Sequence, residues 1–414
     1  MFSTVSAVRA VRRSRPLRLV ATAAAVATVG ATALVGTASA ADSCTRTISP
    51  GASVQAAVQA LTAGQTLCLR GGTYTGNMAA ALGKGTSASP ITVTSYPGER
   101  ATLVGATKFL GGEHWRVRGM AFTNPGSSEP IVKLIGGTGW HFENNEVFDG
   151  AYAGILVGRS TAGYGVPHGY VIRGNVVRDT KASNLYHNPS RHSTGGLVER
   201  NLFANSGTQN VKLGWGGTGS CTGSNYENYG IGEVEFRYNT LYNGSQPLAV
   251  AESGGDRRVD IHHNLIVKAT RGYAVRIGNV EGCLRSNVWV HDNAAFEATT
   301  FAQDFDDQPT IMKQMTANVM GIDPRFDTLT SSGFRPTDAR LAGYGRYAGV
   351  SVTEPTQPTT EPTQPTTAPT QPTTEPTQPT QPTQPADPVQ LPSVVVVACP
   401  ADVSKIAAEV VLCA

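Results

Sequence analysis

The stretch Trp140-His141-Phe142-Glu143-Asn144-Asn145-Glu146-Val147-Phe148 decides the fold. Apolar and polar residues alternate, an asparagine interrupts them, and a further apolar pair follows. The phrase returns as Val171-Ile172-Arg173-Gly174-Asn175-Val176-Val177 and Leu197-Val198-Glu199-Arg200-Asn201-Leu202-Phe203. Three more copies centre on Asn239, Asn264 and Asn293, and Trp115–Phe122 is a degenerate copy with Met120 in the asparagine slot. From Met120 to Asn293 the successive spacings are 25, 30, 26, 38, 25 and 29 residues.

A constant strand phrase with variable inserts describes coils that share strands and differ in their loops. The period of two excludes helical repeats, and a propeller blade needs about 40 residues. Coils of about 25 residues suit an all-β parallel solenoid in which each coil lies about 4.8 Å above the last. Asparagines stacked at one corner pass amide hydrogen bonds between coils, and asparagine itself tolerates the left-handed backbone of a tight turn. Ser53 to Leu61, apolar at Val54, Ala57, Val58 and Leu61, reads as a short amphipathic helix capping the first coil.

With these phrases in view, the chain from about Cys44 to Gly345 resembles the right-handed parallel β-helix superfamily typified by pectate lyases. Leu67-Cys68-Leu69-Arg70-Gly71-Gly72-Thr73-Tyr74 and Pro90-Ile91-Thr92-Val93-Thr94-Ser95-Tyr96-Pro97-Gly98-Glu99 resemble its opening coils. Ile322-Asp323-Pro324-Arg325-Phe326 with Phe334-Arg335-Pro336 resembles its closing coil. The resemblance implies a substrate groove along one sheet, the first, flanked by long loops. It does not choose a chemistry, because the superfamily holds lyases, hydrolases, epimerases and binding proteins.

The first sheet is expected just before each asparagine phrase, at 131–135, 154–159, 184–188, 210–214, 248–253 and 273–278. Alternation then gives an outward row of Lys133, Leu156, Tyr186, Lys212, Ala251 and Arg276, with Asn184, Asn188 and Asn210 beside it. Lys212 and Tyr186 fall about 5 Å apart on neighbouring coils. Cations and amides along a groove suit an acidic polysaccharide. His187 is expected on a groove-side loop, and Trp215 opens a glycine-rich insert placed to wall the groove and stack on sugar rings.

Hydrolysis of a glycosidic bond ordinarily needs two carboxylates several ångströms apart. The expected first sheet offers only Glu252. β-Elimination beside a uronate needs a base for the C5 proton and groups that stabilise an enolate-like intermediate. Lys212, Arg276 and Tyr186 supply those types, so the expected function is a polysaccharide lyase. A hydrolase of the same fold and a non-catalytic glycan-binding solenoid are the alternatives. His262-His263-Asn264 followed by Arg271 and Arg276 resembles the base-bearing region of one pectate-lyase family, which makes Arg271 a reserve base. Calcium is the expected cofactor, since it bridges a substrate carboxylate to protein oxygens, with Glu252 and Asp256 as the nearest ligands.

The flanks place this region outside the cell. Residues 1–40 carry Arg9, Arg12, Arg13, Arg15 and Arg18, then an alanine- and valine-rich run, then Ala38-Ser39-Ala40 as a cleavage site. This reads as a signal peptide for the general secretory route rather than the twin-arginine one. Without its five arginines, 33 basic against 30 acidic residues becomes 28 against 30, which argues against nucleic-acid binding. No later run is long and apolar enough to span a membrane. The β-helix domain is expected over 41–350, a Glu-Pro-Thr-Gln-Pro-Thr linker over 351–388, and a short segment of unassigned role over 389–414. Six cysteines fit an oxidising compartment, and pairing by neighbourhood (44–68, 221–283, 399–413) is the simplest of the possible connectivities. The chain is expected to act as a monomer.

Overall fold

The computed structural model describes residues 43–159, 163–190, 192–214, 230–250, 257–278, 287–304 and 315–349. The expected signal peptide, linker and C-terminal segment lie outside them. Among the described residues no helix is long and apolar enough to cross a membrane.

The chain winds through three parallel sheets. The first has nine described strands, from Met78–Ala81 to Thr300–Asp304, and the second eleven, from Arg46–Ile48 to Met315–Thr316. The third has ten, from Gly72–Thr75 to Val319–Met320. Each strand pairs with those one coil before and after it, as Val132↔Ile155, Phe142↔Ile172 and Val147↔Val177 show. This is the parallel β-solenoid expected from the repeat.

The period of two does the folding work. Val132 and Leu134, Ile155 and Val157, Val211 and Leu213, and Val275 and Ile277 all point inward from the first sheet. They join a continuous core running from the capping helix to Ala295. Each such side chain contributes about 1.5–3 kcal/mol when fully buried.

The asparagine corner is a hydrogen-bonded ladder between the second and third sheets. Asn145, Asn175, Asn201, Asn239, Asn264 and Asn293 are buried, and Asn318 adds a seventh rung. Each Oδ1 accepts the backbone N–H of the residue in the same slot one coil before, Met120 for Asn145 and an asparagine for the rest, as Asn201 does from Asn175 at 2.9 Å. Each Nδ2 donates to a second-sheet carbonyl one coil back, as Asn201 does to Ile172 at 3.0 Å. The left-handed residue is the one before the asparagine, contrary to expectation: Asn144, Arg200, Tyr238, His263, Asp292 and Ala317 have φ between 50° and 55°. The asparagine keeps its amide for the ladder, and its predecessor takes the strained backbone.

The first edge of the solenoid and the outer face of its third sheet are both covered. At the start, helix Val54–Gln59 is N-capped by the Ser53 hydroxyl and buries Ala57 and Val58. Gln55 Oε1 accepts the N–H of Ala79 on the edge strand at 3.0 Å, so the helix both hides and satisfies an open edge. Cys44 and Cys68 form a disulfide beside it, as expected from their proximity in sequence. The other four cysteines lie outside the described residues. At the far end, residues 322–349 fold back over the outer face of the third sheet. Phe334 packs on Val176, Leu202 and Ala204, and Leu341 on Leu265, Val267 and Ala294.

Candidate functional site

The outward row of the first sheet is set by its register. Successive partners are Ala79, Lys108, Lys133, Leu156, Tyr186, Lys212, Ala249, Arg276 and Gln303. The expected row is therefore present with one correction. Ala249, not Ala251, precedes Arg276, because strand Leu248–Val250 aligns Leu248 with Val275. Lys108 and Gln303 extend the row beyond the expected positions.

Lys212 and Tyr186 are register partners, and the Lys212 ammonium lies 4.7 Å from the centroid of the Tyr186 ring. Arg276 is two strands further on, and its Nη1 donates to Gln246 Oε1 at 3.4 Å. Lys133 stands three strands before Lys212 and is in contact with Glu129. The outward register positions of the described first-sheet strands hold no acid.

Four expected substrate contacts are not available to a polymer in the groove. Asn184 is fully buried, with its Nδ2 on the Ala204 carbonyl at 2.9 Å and its Oδ1 accepting from Thr180. Asn210 is fully buried too, its Nδ2 on the Tyr242 carbonyl at 3.1 Å. Both sit where the chain bends from the third sheet into the first, and their amides satisfy third-sheet carbonyls inside that bend. His187 occupies an inward register position and hydrogen-bonds through Nε2 to the buried Tyr170 hydroxyl. Burial holds its imidazole far below the ordinary value, at about 3, so it is neutral. Asn188 keeps an outward register opposite Gly158 but is covered. Arg271 is exposed on the turn before strand Tyr273–Ile277, off the row. Trp215, Glu252 and Asp256 lie outside the described residues. Among those described, no group of three or more histidines, cysteines or acids is placed to hold a metal ion.

The second sheet carries a different surface. Arg173 Nε meets Glu199 at 2.5 Å, Arg237 meets Glu199 and Glu235 at 2.7 Å, and His262 meets Glu235 at 3.0 Å. His291 continues the line to Asp260 at 2.9 Å and stacks on His262 with ring centroids 5.1 Å apart. This face alternates in charge and neutralises itself. His262 ends a second-sheet strand, so the His262-His263-Asn264 phrase is an ordinary corner of the repeat and lies on a different sheet from Arg276.

No family model and no curated protein matches the chain. Among solved structures, it is similar to an alginate lyase from Paenibacillus sp. str. FPU-7 at 16% identity and a TM-score of 0.38, over 67% of this chain and 99% of the other. A pectate lyase is similar at 13% identity and 0.37, over 70% and 84%. A tailspike protein, Dettilon gp208, is similar at 14% identity and 0.35, over 62% of each chain. At these values the likeness carries no argument about chemistry, which rests on the residues of the first sheet.

Proposed function

We propose that the protein is a secreted polysaccharide lyase that cleaves a uronate-containing polymer by β-elimination along the first sheet. The observation that carries the reading is the outward row itself. Lys212 and Tyr186 are in contact, Arg276 follows two strands on, and no acid stands at the outward register positions of the described strands. A polyanion gains from such a row and gains nothing from the self-neutralised second sheet.

The chemistry assigned to the row is as follows. The Lys212 amine removes the C5 proton of the uronate. The electrons of that C–H bond form the C4=C5 double bond while the C4–O bond breaks. The Tyr186 hydroxyl protonates the departing oxygen, and Arg276 stabilises the carboxylate as it takes on enolate character. Calcium enters this proposal only through Glu252 and Asp256, which would hold it; the ion would supply positive charge beside the substrate carboxylate, and the chelator arm of the assay reads it directly.

The test incubates the purified chain with pectate, alginate, glucuronan, hyaluronan and chondroitin, with calcium or with chelator. Ultraviolet absorbance of an unsaturated uronide is followed beside a reducing-end assay. Rising absorbance is the expected result. New reducing ends without absorbance overturn elimination in favour of hydrolysis, and silence on every polymer leaves a glycan-binding solenoid.

A further inference from the structure

The turn that leads into strand Val132–Ile135 is the longest of its kind among the described residues. Seven residues separate Ala121–Asn124 from it, whereas four separate Glu146–Gly150 from Ile155–Gly158 and three separate Thr240–Gly244 from Leu248–Val250. The extra length is held by hydrogen bonds between side chains and the main chain. Asn124 Nδ2 donates to the Glu129 carbonyl at 3.1 Å, and the Glu129 N–H donates to Ser127 Oγ at 3.1 Å.

This turn lays the Glu129 carboxylate against two lysines of the row. Lys133 is in direct contact and Lys108 lies at 3.4 Å. The two lysines are register partners on neighbouring strands. Hydrogen bonding to Lys133, followed by the charges of Lys133 and Lys108, holds the Glu129 carboxyl below the ordinary carboxylate range. A carboxylate shared between cations of successive coils is the same arrangement that a bound uronate would make.

We infer that Glu129 closes the groove at this end and limits how many sugar residues the protein binds. The inference rests on reading the first sheet as a polyuronate groove. Lys133 is three coils from Lys212, about 14 Å. A polymer extending that far reaches Lys133 and Lys108 only by displacing Glu129. The exchange replaces one carboxylate with another and adds repulsion between the two, so these lysines give longer chains no net affinity. Glu129 is partly exposed, so its ion pairs are weak and its removal leaves the coil intact.

The experiment titrates oligogalacturonates and oligomannuronates, from dimers to octamers, into the full chain by calorimetry. Wild type, Glu129→Gln, and Glu129→Gln combined with Lys133→Ala are compared, with thermal melting as the check on folding and Glu129→Ala as a second variant. Wild-type affinity should level off once oligomers reach Leu156. Glu129→Gln should bind hexamers and longer chains roughly tenfold more tightly and leave dimers unaffected, and the double variant should lose that gain. Wild-type binding with the same length dependence in both Glu129 variants overturns the gate alone. Failure of the wild type to bind either series at any length overturns the reading of the first sheet as a galacturonate or mannuronate groove, and the gate with it.

Discussion

The Lys212 ammonium sits 4.7 Å from the centre of the Tyr186 ring, and the two residues pair in register across neighbouring coils of the first sheet. A cation over a ring at a part-exposed site contributes about 0.5–1 kcal/mol, so neither residue is a structural necessity. Lys212→Ala should therefore shift stability by less than about 1 kcal/mol while lowering turnover at least ~100-fold, the loss expected for a removed general base. Tyr186→Phe keeps the ring contact and removes only the hydroxyl. It should retain the melting temperature and lose turnover. Unsaturated-product absorbance and calorimetric melting read both; full activity in Lys212→Ala would remove that lysine from the mechanism.

The asparagine ladder makes the opposite prediction, stability without chemistry. Asn201 accepts from Asn175 N–H, donates to the Ile172 carbonyl, and donates to Asn239 Oδ1 at 2.9 Å. Asn201→Ala leaves those groups buried and unsatisfied, at a cost of about 3 kcal/mol or more. Asn201→Asp should be at least as damaging, because a carboxylate cannot donate to Ile172 or Asn239. Urea unfolding of the two variants measures this, and a change within about 0.5 kcal/mol would show that the coils do not depend on the ladder.

How far the sequence is legible follows from these same residues. The ladder and the inward set Val132, Leu134, Ile155 and Val157 obey local rules, a fixed phrase and a period of two, so both can be read directly. Asn184 and Asn210 break the rule because they lie in the bend between sheets, where alternation no longer says which way a side chain faces. His187 shows the reverse error: alternation places it inward, whereas the expectation from sequence puts it on a groove-side loop. Glu129 gives no signal at all in the repeat phrase. Its position depends on a turn at least three residues longer than its counterparts among the described strands and on lysines from two different coils. Its clue is the uneven length of that insert.

The C-terminal fold-back should be a stability element of the third sheet. Phe334 is buried against Tyr242 and Phe326, with ring centroids 5.0 and 5.2 Å away, over Val176, Leu202 and Ala204. Phe334→Ala removes that cover and should cost about 3–5 kcal/mol. The exposed third-sheet patch should also bind a hydrophobic dye before the main unfolding transition. A variant that melts like wild type and binds no dye would mean that residues 322–349 merely rest on the sheet.

The buried His187–Tyr170 pair sets an acid limit. Burial, opposed only by a backbone hydrogen bond, depresses the His187 imidazole to about 3, and burial likewise pushes the Tyr170 phenol above its ordinary range. The ordinary imidazole value is about 6.5, so between about 6.5 and about 3 the unfolded chain binds a proton that the folded chain refuses. For a base whose folded value is depressed, this contribution is complete above about pH 6.5 and is lost as pH falls through that window. Well inside the window one such proton gives a slope of about 1.4 kcal/mol per pH unit. His187→Gln removes the titrating group and keeps a polar atom for Tyr170. It should be less stable than wild type at pH 7, and its stability should decline less steeply from pH 6 to pH 4, by about that slope. Chemical denaturation across the pH series measures the difference, and parallel curves for the two proteins would show that His187 takes up its proton without unfolding the coil.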